Sequence, residues 1–154
     1  MKRALRGHRY IPKDAPIKTN PYNTNLAAEY YALSMLYRYG AEASLTLGNK
    51  KSVDIVVVRG RKLLSIDVKG LAGRTLWPLD NFSKPTKNHY IALVSFLGRI
   101  NDCGVAPEVY ILPSDDVDQF MYYNRKRSRK GIQLSRMRRE GQKYKNAWKQ
   151  FVSS

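Results

Sequence analysis

The sequence has very few residues that could cross-link the chain or hold a structural zinc ion. It contains one cysteine, Cys103, and two histidines, His8 and His89, among 154 residues. A single cysteine excludes an intramolecular disulfide, and so few thiol and imidazole groups argue against a structural zinc site. Disulfide-free chains of this kind are typical of reducing compartments, so we expect a cytoplasmic protein.

Long apolar runs are missing as well. The longest, residues 90–97, is far shorter than the roughly 20 residues that a membrane-spanning helix needs. We therefore expect no membrane partner. The hydrophobic fraction of 43% is ordinary for a globular protein, and the length suits one domain with a real core.

Acidic residues are scarce, since 12 Asp and Glu face 28 Lys and Arg, for a formal net charge of +16. The excess is concentrated at the two ends: residues 1–20 carry a net +5, residues 121–154 carry +10, and the part between them carries +1. Clustered positive charge favours a polyanionic partner over a role in solubility alone. We therefore expect a nucleic acid partner.

The charge pattern predicts three parts of the chain. Residues 1–25 combine basic side chains with prolines and are interpreted as an extended N-terminal arm. Residues 26–122 are the predicted core. Residues 123–154 are expected to form a basic link and then a basic helix that packs on this core.

The most informative stretch is residues 53–69, where two apolar, β-branched runs flank Gly60. This pattern predicts an antiparallel hairpin. A two-residue type II′ turn that starts at Gly60 would pair residues whose numbers sum to 121. Asp54 would then lie directly opposite Asp67.

Two opposed carboxylates repel each other, because directly paired side chains have Cβ atoms only about 5 Å apart. A divalent cation between Asp54 and Asp67 would offset the repulsion, and hard oxygen ligands suit Mg²⁺ or Mn²⁺. Lys69 projects to the same face as Asp67, about 6.6 Å further along the strand. The pattern therefore places two carboxylates and an ammonium group in one small region.

A helix is predicted for residues 26–39, with Thr24 or Asn25 as its N-cap and Gly40 at its C-terminal end. Glu29 falls on the predicted apolar face, which is formed by Leu26, Tyr30, Leu33, Leu36 and Tyr37. The helix dipole also favours an acid in the first turn, so both structural and functional roles remain open for Glu29.

The rest of the chain predicts an α/β fold with a central mixed sheet flanked by helices. Strands are expected at residues 43–47, 90–97 and 108–112, and a loop at residues 71–88. A helix capped by Ser114 would bury Val117, Phe120 and Met121. A last helix over residues 134–152 would bury Met137, Tyr144, Trp148 and Phe151.

The combination of Glu29 on the first helix, Asp54 on one strand and Asp67-Val68-Lys69 on the next resembles the PD-(D/E)xK nuclease superfamily. Within it, the chain is similar to small Holliday-junction-resolvase-like members over about residues 25–113. No proline precedes Asp54, and aspartate stands where the final motif usually has glutamate. The resemblance implies a restriction-endonuclease-like core and Mg²⁺- or Mn²⁺-dependent hydrolysis of phosphodiesters.

The same resemblance implies a role for each motif residue. Asp54 and Asp67 would hold the metal, with Glu29 as a direct or water-mediated ligand and the backbone carbonyl of Val68 as a further one. Lys69 would orient the attacking water or stabilise charge on the phosphate. A resolvase-like enzyme needs two sites, so the resemblance also implies a homodimer.

Basic side chains outside this motif are candidates for binding the nucleic acid, with DNA preferred: Arg3, Arg6, Arg9, Lys84, Lys87, Arg125, Lys126, Arg127, Arg129, Lys130, Arg136 and Arg139. Two alternatives to a nuclease remain open. One is a catalytically inactive nucleic-acid-binding protein that uses its charged ends, and the other is a ribosomal-type RNA-binding protein. All three would bind in a salt-sensitive way, so binding does not discriminate between them, whereas metal-dependent cleavage would identify the nuclease.

Overall fold

A computed structural model describes residues 10–13, 15, 17–47 and 53–153. A five-stranded mixed sheet forms its centre, in the order β1-β2-β3-β5-β6, with β1 Glu42–Leu45, β2 Ile55–Arg59, β3 Lys62–Leu71, β5 His89–Ser95 and β6 Glu108–Pro113. A separate antiparallel sheet has the order β4-β8-β7, with β4 Leu76–Pro78, β7 Met121–Asn124 and β8 Arg129–Gln133. The predicted α/β class with a central mixed sheet is confirmed.

The first helix, α1, spans Pro21–Arg38 and therefore begins earlier than predicted. Asn20 is its N-cap, since the Asn20 side chain accepts a hydrogen bond from the Tyr22 N–H at 2.9 Å. Pro21 occupies the first helical position, where its missing N–H has no cost. The predicted end is correct, because Gly40 follows with a positive φ of 82°.

One face of α1 packs against the central sheet. The buried side chains of this face are Thr24, Ala28, Glu29, Ala32 and Leu36. The inward position predicted for Glu29 is confirmed. The prediction was wrong for Tyr30 and Tyr37, which are mostly exposed. The small residues Ala28 and Ala32 let the helix pack closely on the sheet along a neighbouring face instead.

Strands β2 and β3 form the predicted hairpin. Their paired residues run from Arg59 and Lys62 to Ile55 and Ile66, so every pair of numbers sums to 121. Gly60 has the positive φ, 60°, that the turn requires. The register predicted from the turn is confirmed along the whole ladder.

The ladder ends one residue before the predicted pair of aspartates. The backbone N–H of Asp54 donates to the carbonyl of Ile66 at 3.1 Å, so Asp54 and Ile55 both face Ile66 in a β-bulge. The expectation that Asp54 lies directly opposite Asp67 is therefore wrong. The extra residue turns Asp54 out of the regular alternation and redirects its side chain.

Strand β3 is longer than its antiparallel partner. Its pairing with β5 is parallel and runs from the pair Ser65 and His89 to the pair Leu71 and Ser95. Strand β2, which starts at Ile55, pairs with β3 only as far as Ile66. Among the described residues, no strand pairs with the other edge of β3 beyond Ile66. The second half of β3 therefore has one edge available to side chains.

Two buried clusters lie on opposite faces of the central sheet. Val68 belongs to the cluster beneath α1, whereas Ile91 and Leu93 belong to the cluster shared with the second sheet. Asp67 pairs with Ile91 and Lys69 with Leu93. Because paired residues share a face, Asp67 and Lys69 point away from α1.

The predicted continuous helix over residues 134–152 is not formed. Helix α2 covers only Leu134–Glu140, and short 3-10 turns follow at Gln142–Tyr144 and Trp148–Phe151. The chain breaks at Gly141, where a Cβ would collide with Met137, and at Asn146, which has a positive φ of 51°. The predicted inner stripe is nevertheless buried, at Met137, Tyr144, Trp148 and Phe151.

Three other segments also differ from their predictions. The helix expected after Ser114 consists of two 3-10 turns, Ser114–Asp116 and Asp118–Phe120, although its predicted inner residues are buried. The predicted loop over residues 71–88 contains β4. Residues 123–131, which were predicted to be a basic link, form most of a hairpin made by β7 and β8. Within the described residues, no helix is long and apolar enough to cross a membrane.

Candidate active site

The Asp54 carboxylate is held at the open edge of β3. Its Oδ2 accepts a hydrogen bond from the Val68 N–H at 2.7 Å. The β-bulge makes this contact geometrically accessible, since it frees Asp54 from the ladder just where β3 loses its partner. The Asp54 carboxylate is therefore bound to the backbone of Val68, the residue that follows Asp67.

Along this edge of β3, the backbone N–H and C=O groups of every second residue point outward. The Ile66 carbonyl bonds towards β2, so the N–H and C=O groups of Val68 and Gly70 point to this edge as well. The Gly70 N–H donates to Asn25 Oδ1 at 3.1 Å. The carbonyl of Val68, a predicted metal ligand, therefore faces the side where the Asp54 carboxylate is bound.

His89 lies beside Asp67 and was not among the predicted site residues. Its Nε2 is 3.6 Å from Asp67 Oδ2, and the two side chains are only 12% and 24% exposed. The parallel register of β3 and β5 places His89 diagonally next to Asp67 on one face. No local sequence signal reports such a register, because it joins distant segments of the chain.

Lys69 lines a groove of about 440 Å³ at the end of β3. The groove also contacts Asn25 and Gly70 on one side, and Leu76 and Pro78 of the second sheet on the other. An ammonium group in an open groove can contact a phosphate directly. The position of Lys69 therefore suits the predicted contact with a substrate backbone.

Glu29 is buried, with 7% of its surface exposed. It lies on α1, whereas Asp67 points to the opposite face of the sheet. Among the described residues, no group of three His, Cys, Asp or Glu side chains is close enough to hold one metal ion. A role for Glu29 as a third ligand stays a prediction.

The oxygen atoms on this part of β3 and on Asp54 are of the kind that would suit a hard divalent cation. Mg²⁺ is commonly bound through one or two carboxylates and keeps several waters, so a dedicated cage of protein ligands is not needed. Asp54, Asp67 and the Val68 carbonyl supply oxygen atoms only. This donor set favours Mg²⁺ or Mn²⁺ over metals that prefer sulfur or imidazole.

The predicted nucleic-acid-binding residues fall into three groups. Arg3, Arg6 and Arg9 lie outside the described residues. Arg136 and Arg139 form ion pairs with Glu140, so part of their charge is already balanced. The other side chains are on the surface, and all except the half-buried Lys130 are exposed: Lys84, Lys87, Arg125, Lys126, Arg127, Arg129 and Lys130.

Comparison with known proteins gives a likeness of fold. No family model matches the sequence, and no curated protein matches it. Among solved structures, the chain is similar to a bacterial homing endonuclease, I-Ssp6803I, with a TM-score of 0.48 and 17% sequence identity. The likeness covers 84% of this chain and 90% of that one.

Proposed function

We propose that the chain is a metal-dependent nuclease that hydrolyses phosphodiester bonds in DNA. The observation that supports this most directly is the 2.7 Å hydrogen bond from the Val68 N–H to Asp54 Oδ2. It gathers the Asp54 carboxylate and the backbone of residues 67–69 at one open strand edge. Asp54, Asp67 and the Val68 carbonyl would hold Mg²⁺ or Mn²⁺.

A bound divalent ion polarises the scissile phosphate and lowers the pKa of a coordinated water. Lys69, in its groove, would contact the phosphate and stabilise negative charge as it develops. His89 would limit the rotation of the Asp67 carboxylate, since its Nε2 lies 3.6 Å from Oδ2. Glu29 would contribute a direct or water-mediated contact, as the resemblance implies.

The net charge of +16 supports a polyanionic substrate. A nuclease needs its cations close to the cleavage centre, and the groove that contains Lys69 borders the second sheet, which carries the basic β7–β8 segment. Preference for branched DNA would require a second site, so it depends on the homodimer that the resemblance implies.

Cleavage tests the proposal. The purified protein would be incubated with Mg²⁺ or Mn²⁺ and with linear duplex DNA, four-way-junction DNA, single-stranded DNA and RNA. The decisive variant is Asp67→Asn, which removes a charged ligand with little change of shape. The matched control is Asp118→Asn, the same change at an exposed carboxylate remote in sequence from the site.

We expect DNA cleavage that stops in chelator, falls by at least about 100-fold in Asp67→Asn, and is unchanged in Asp118→Asn. Undiminished cleavage by Asp67→Asn would refute the assignment of the site. Binding without cleavage of any substrate would instead favour the inactive nucleic-acid-binding protein. Cleavage confined to RNA would overturn the choice of DNA.

A further inference from the structure

The segment that connects β7 and β8 is a well-formed hairpin. Four residue pairs join its strands, from Met121 and Ile132 to Asn124 and Arg129. Asn124 Oδ1 accepts a hydrogen bond from the Arg127 N–H at 3.3 Å. Ser128 adopts the left-handed conformation, with φ 49°, that closes the turn. The turn therefore presents its side chains in a defined direction.

The base of this hairpin is fixed to the core. Met121 and Ile132 are buried in the cluster that contains Trp77. Gly131 packs so closely on β4 that a Cβ would overlap the carbonyl of Trp77. The Lys130 N–H also donates to Asp80 Oδ1 at 3.0 Å. The strands thus form a rigid support for the turn.

The hairpin carries an unbalanced positive charge. Residues 121–135 contain five basic side chains and no acid. Four of these side chains are exposed, and within the described residues none of the four forms an ion pair: Arg125, Lys126, Arg127 and Arg129. This contrasts with Arg136 and Arg138, which are paired with glutamates. The charge of the hairpin is therefore available to a partner.

The outer face of the hairpin is continuous with the Lys69 groove. Pro78, which lines the groove, pairs with Gly131, and Gly131 pairs with Tyr122 across the second sheet. Tyr122 is 41% exposed and shares this face with Arg129. Since neighbouring strands are about 4.8 Å apart, Tyr122 lies only about 10 Å from Pro78.

We propose that the β7–β8 hairpin docks in the major groove of duplex DNA. That groove is about 12 Å wide and admits a two-stranded β-ribbon, whereas the major groove of A-form RNA is deep and narrow. Arg125 and Arg127 at the turn bind the backbone on either side of the groove. This docking directs the duplex across the outer face towards Lys69, a step that rests on the proposed nuclease function.

The test measures binding without metal, so it does not depend on cleavage. Affinity would be measured in chelator at about 0.15 M salt and over a series of salt concentrations. The double variant Arg125→Gln and Arg127→Gln is compared with Arg61→Gln and Lys62→Gln. The control pair removes the same charge from another exposed hairpin turn, about 23 Å along β3 from Lys69.

Three short duplexes of one sequence are compared: plain DNA, RNA, and DNA in which every cytosine is glucosylated 5-hydroxymethylcytosine. The C5 substituent projects into the major groove and blocks it while the phosphates stay unchanged. We expect at least tenfold weaker binding to the glucosylated DNA and to the RNA.

The hairpin variant should bind plain DNA about 30-fold more weakly at 0.15 M salt, and the slope of log affinity against log salt should fall by about two. Equal binding to plain and glucosylated DNA would overturn docking in the major groove. A hairpin variant that matches its control, or equal binding to RNA, would also overturn the proposal. Cleavage by Asp67→Asn would refute the nuclease centre and leave these binding results unaffected.

Discussion

The helix α1 packs directly against Gly70 of β3, so Gly70→Ala tests the link between the helix and the site. A Cβ at this position would lie 2.7 Å from the Thr24 carbonyl oxygen and 3.1 Å from Ala28 Cβ. Neither neighbour can rotate away, because one is backbone and the other is the first atom of a side chain. The helix itself would have to move.

Overpacking of this kind costs about 1 to 3 kcal/mol of unfolding free energy. Each kcal/mol corresponds to about 2 to 4 °C in melting temperature for a chain of this size. The shift would also displace Asn25, whose side chain accepts from the Gly70 N–H at 3.1 Å. We therefore expect Gly70→Ala to lose both stability and, if the proposed nuclease is correct, cleavage rate.

The matched control is Gly73→Ala, where a Cβ would meet nothing within 4 Å and φ is not positive. This change should be neutral or stabilise the fold by up to about 1 kcal/mol, since it restricts the unfolded chain. Urea unfolding of both variants measures the difference. If Gly70→Ala were as stable as Gly73→Ala, the close approach of α1 to β3 would be refuted.

Two further predictions concern the core and its ion pairs. Trp77 is buried and donates its Nε1–H to the Val94 carbonyl at 3.1 Å, whereas the buried Nε1 of Trp148 has no partner within the described residues. Urea unfolding should therefore show Trp77→Phe about 1 to 3 kcal/mol less stable than Trp148→Phe, and equal stability would contradict this. The Arg138 guanidinium lowers the pKa of Glu108 in the folded protein through hydrogen bonds. The ionised Glu108 carboxylate therefore stabilises the fold at pH values above its pKa in the unfolded chain, and this stabilisation is lost as the pH falls through its lower pKa in the folded protein. Between about pH 5 and pH 3 the urea midpoint of the native protein should fall more steeply than that of Glu108→Gln, and parallel curves would refute the pairing.

The hairpin register could be predicted because its determinants are local. Gly60 sets the turn, and the apolar runs beside it fix which residues pair. The bulge at Asp54 could not be predicted in the same way. It depends on the residue that follows β1, since the Thr46 N–H donates to the Asp54 carbonyl at 2.9 Å, and this contact joins two segments that are separate in the sequence.

The C-terminal segment shows which part of a periodic pattern is reliable. Met137, Tyr144 and Trp148 were predicted to face the core, and all are buried. The continuous helix between them was wrong, because the pattern records burial and not hydrogen bonding. Short turns broken at Gly141 and Asn146 bury the same side chains.

His89 illustrates a different limit. A histidine at the start of a strand has no distinguishing feature in the sequence, and its position beside Asp67 follows from the parallel pairing of β3 with β5. Parallel strands are joined by long connections, so no turn chemistry fixes their register. Contacts of this kind need the folded structure.

The candidate site follows from a mismatch in strand length. If β2 started a few residues before Ile55, its backbone would bond with Val68, and Asp54 would be an ordinary strand residue. Because β2 does not extend beyond Ile55 in this direction, side chains satisfy the open edge of β3. Asp54 accepts from the Val68 N–H, and Asn25 accepts from the Gly70 N–H. The second contact requires a helix that is already formed at Asn25, which the early start of α1 at Pro21 provides. The carbonyls of the same β3 residues face this edge too, so the contacts that satisfy the open edge also gather oxygen atoms next to Val68, the residue that follows Asp67.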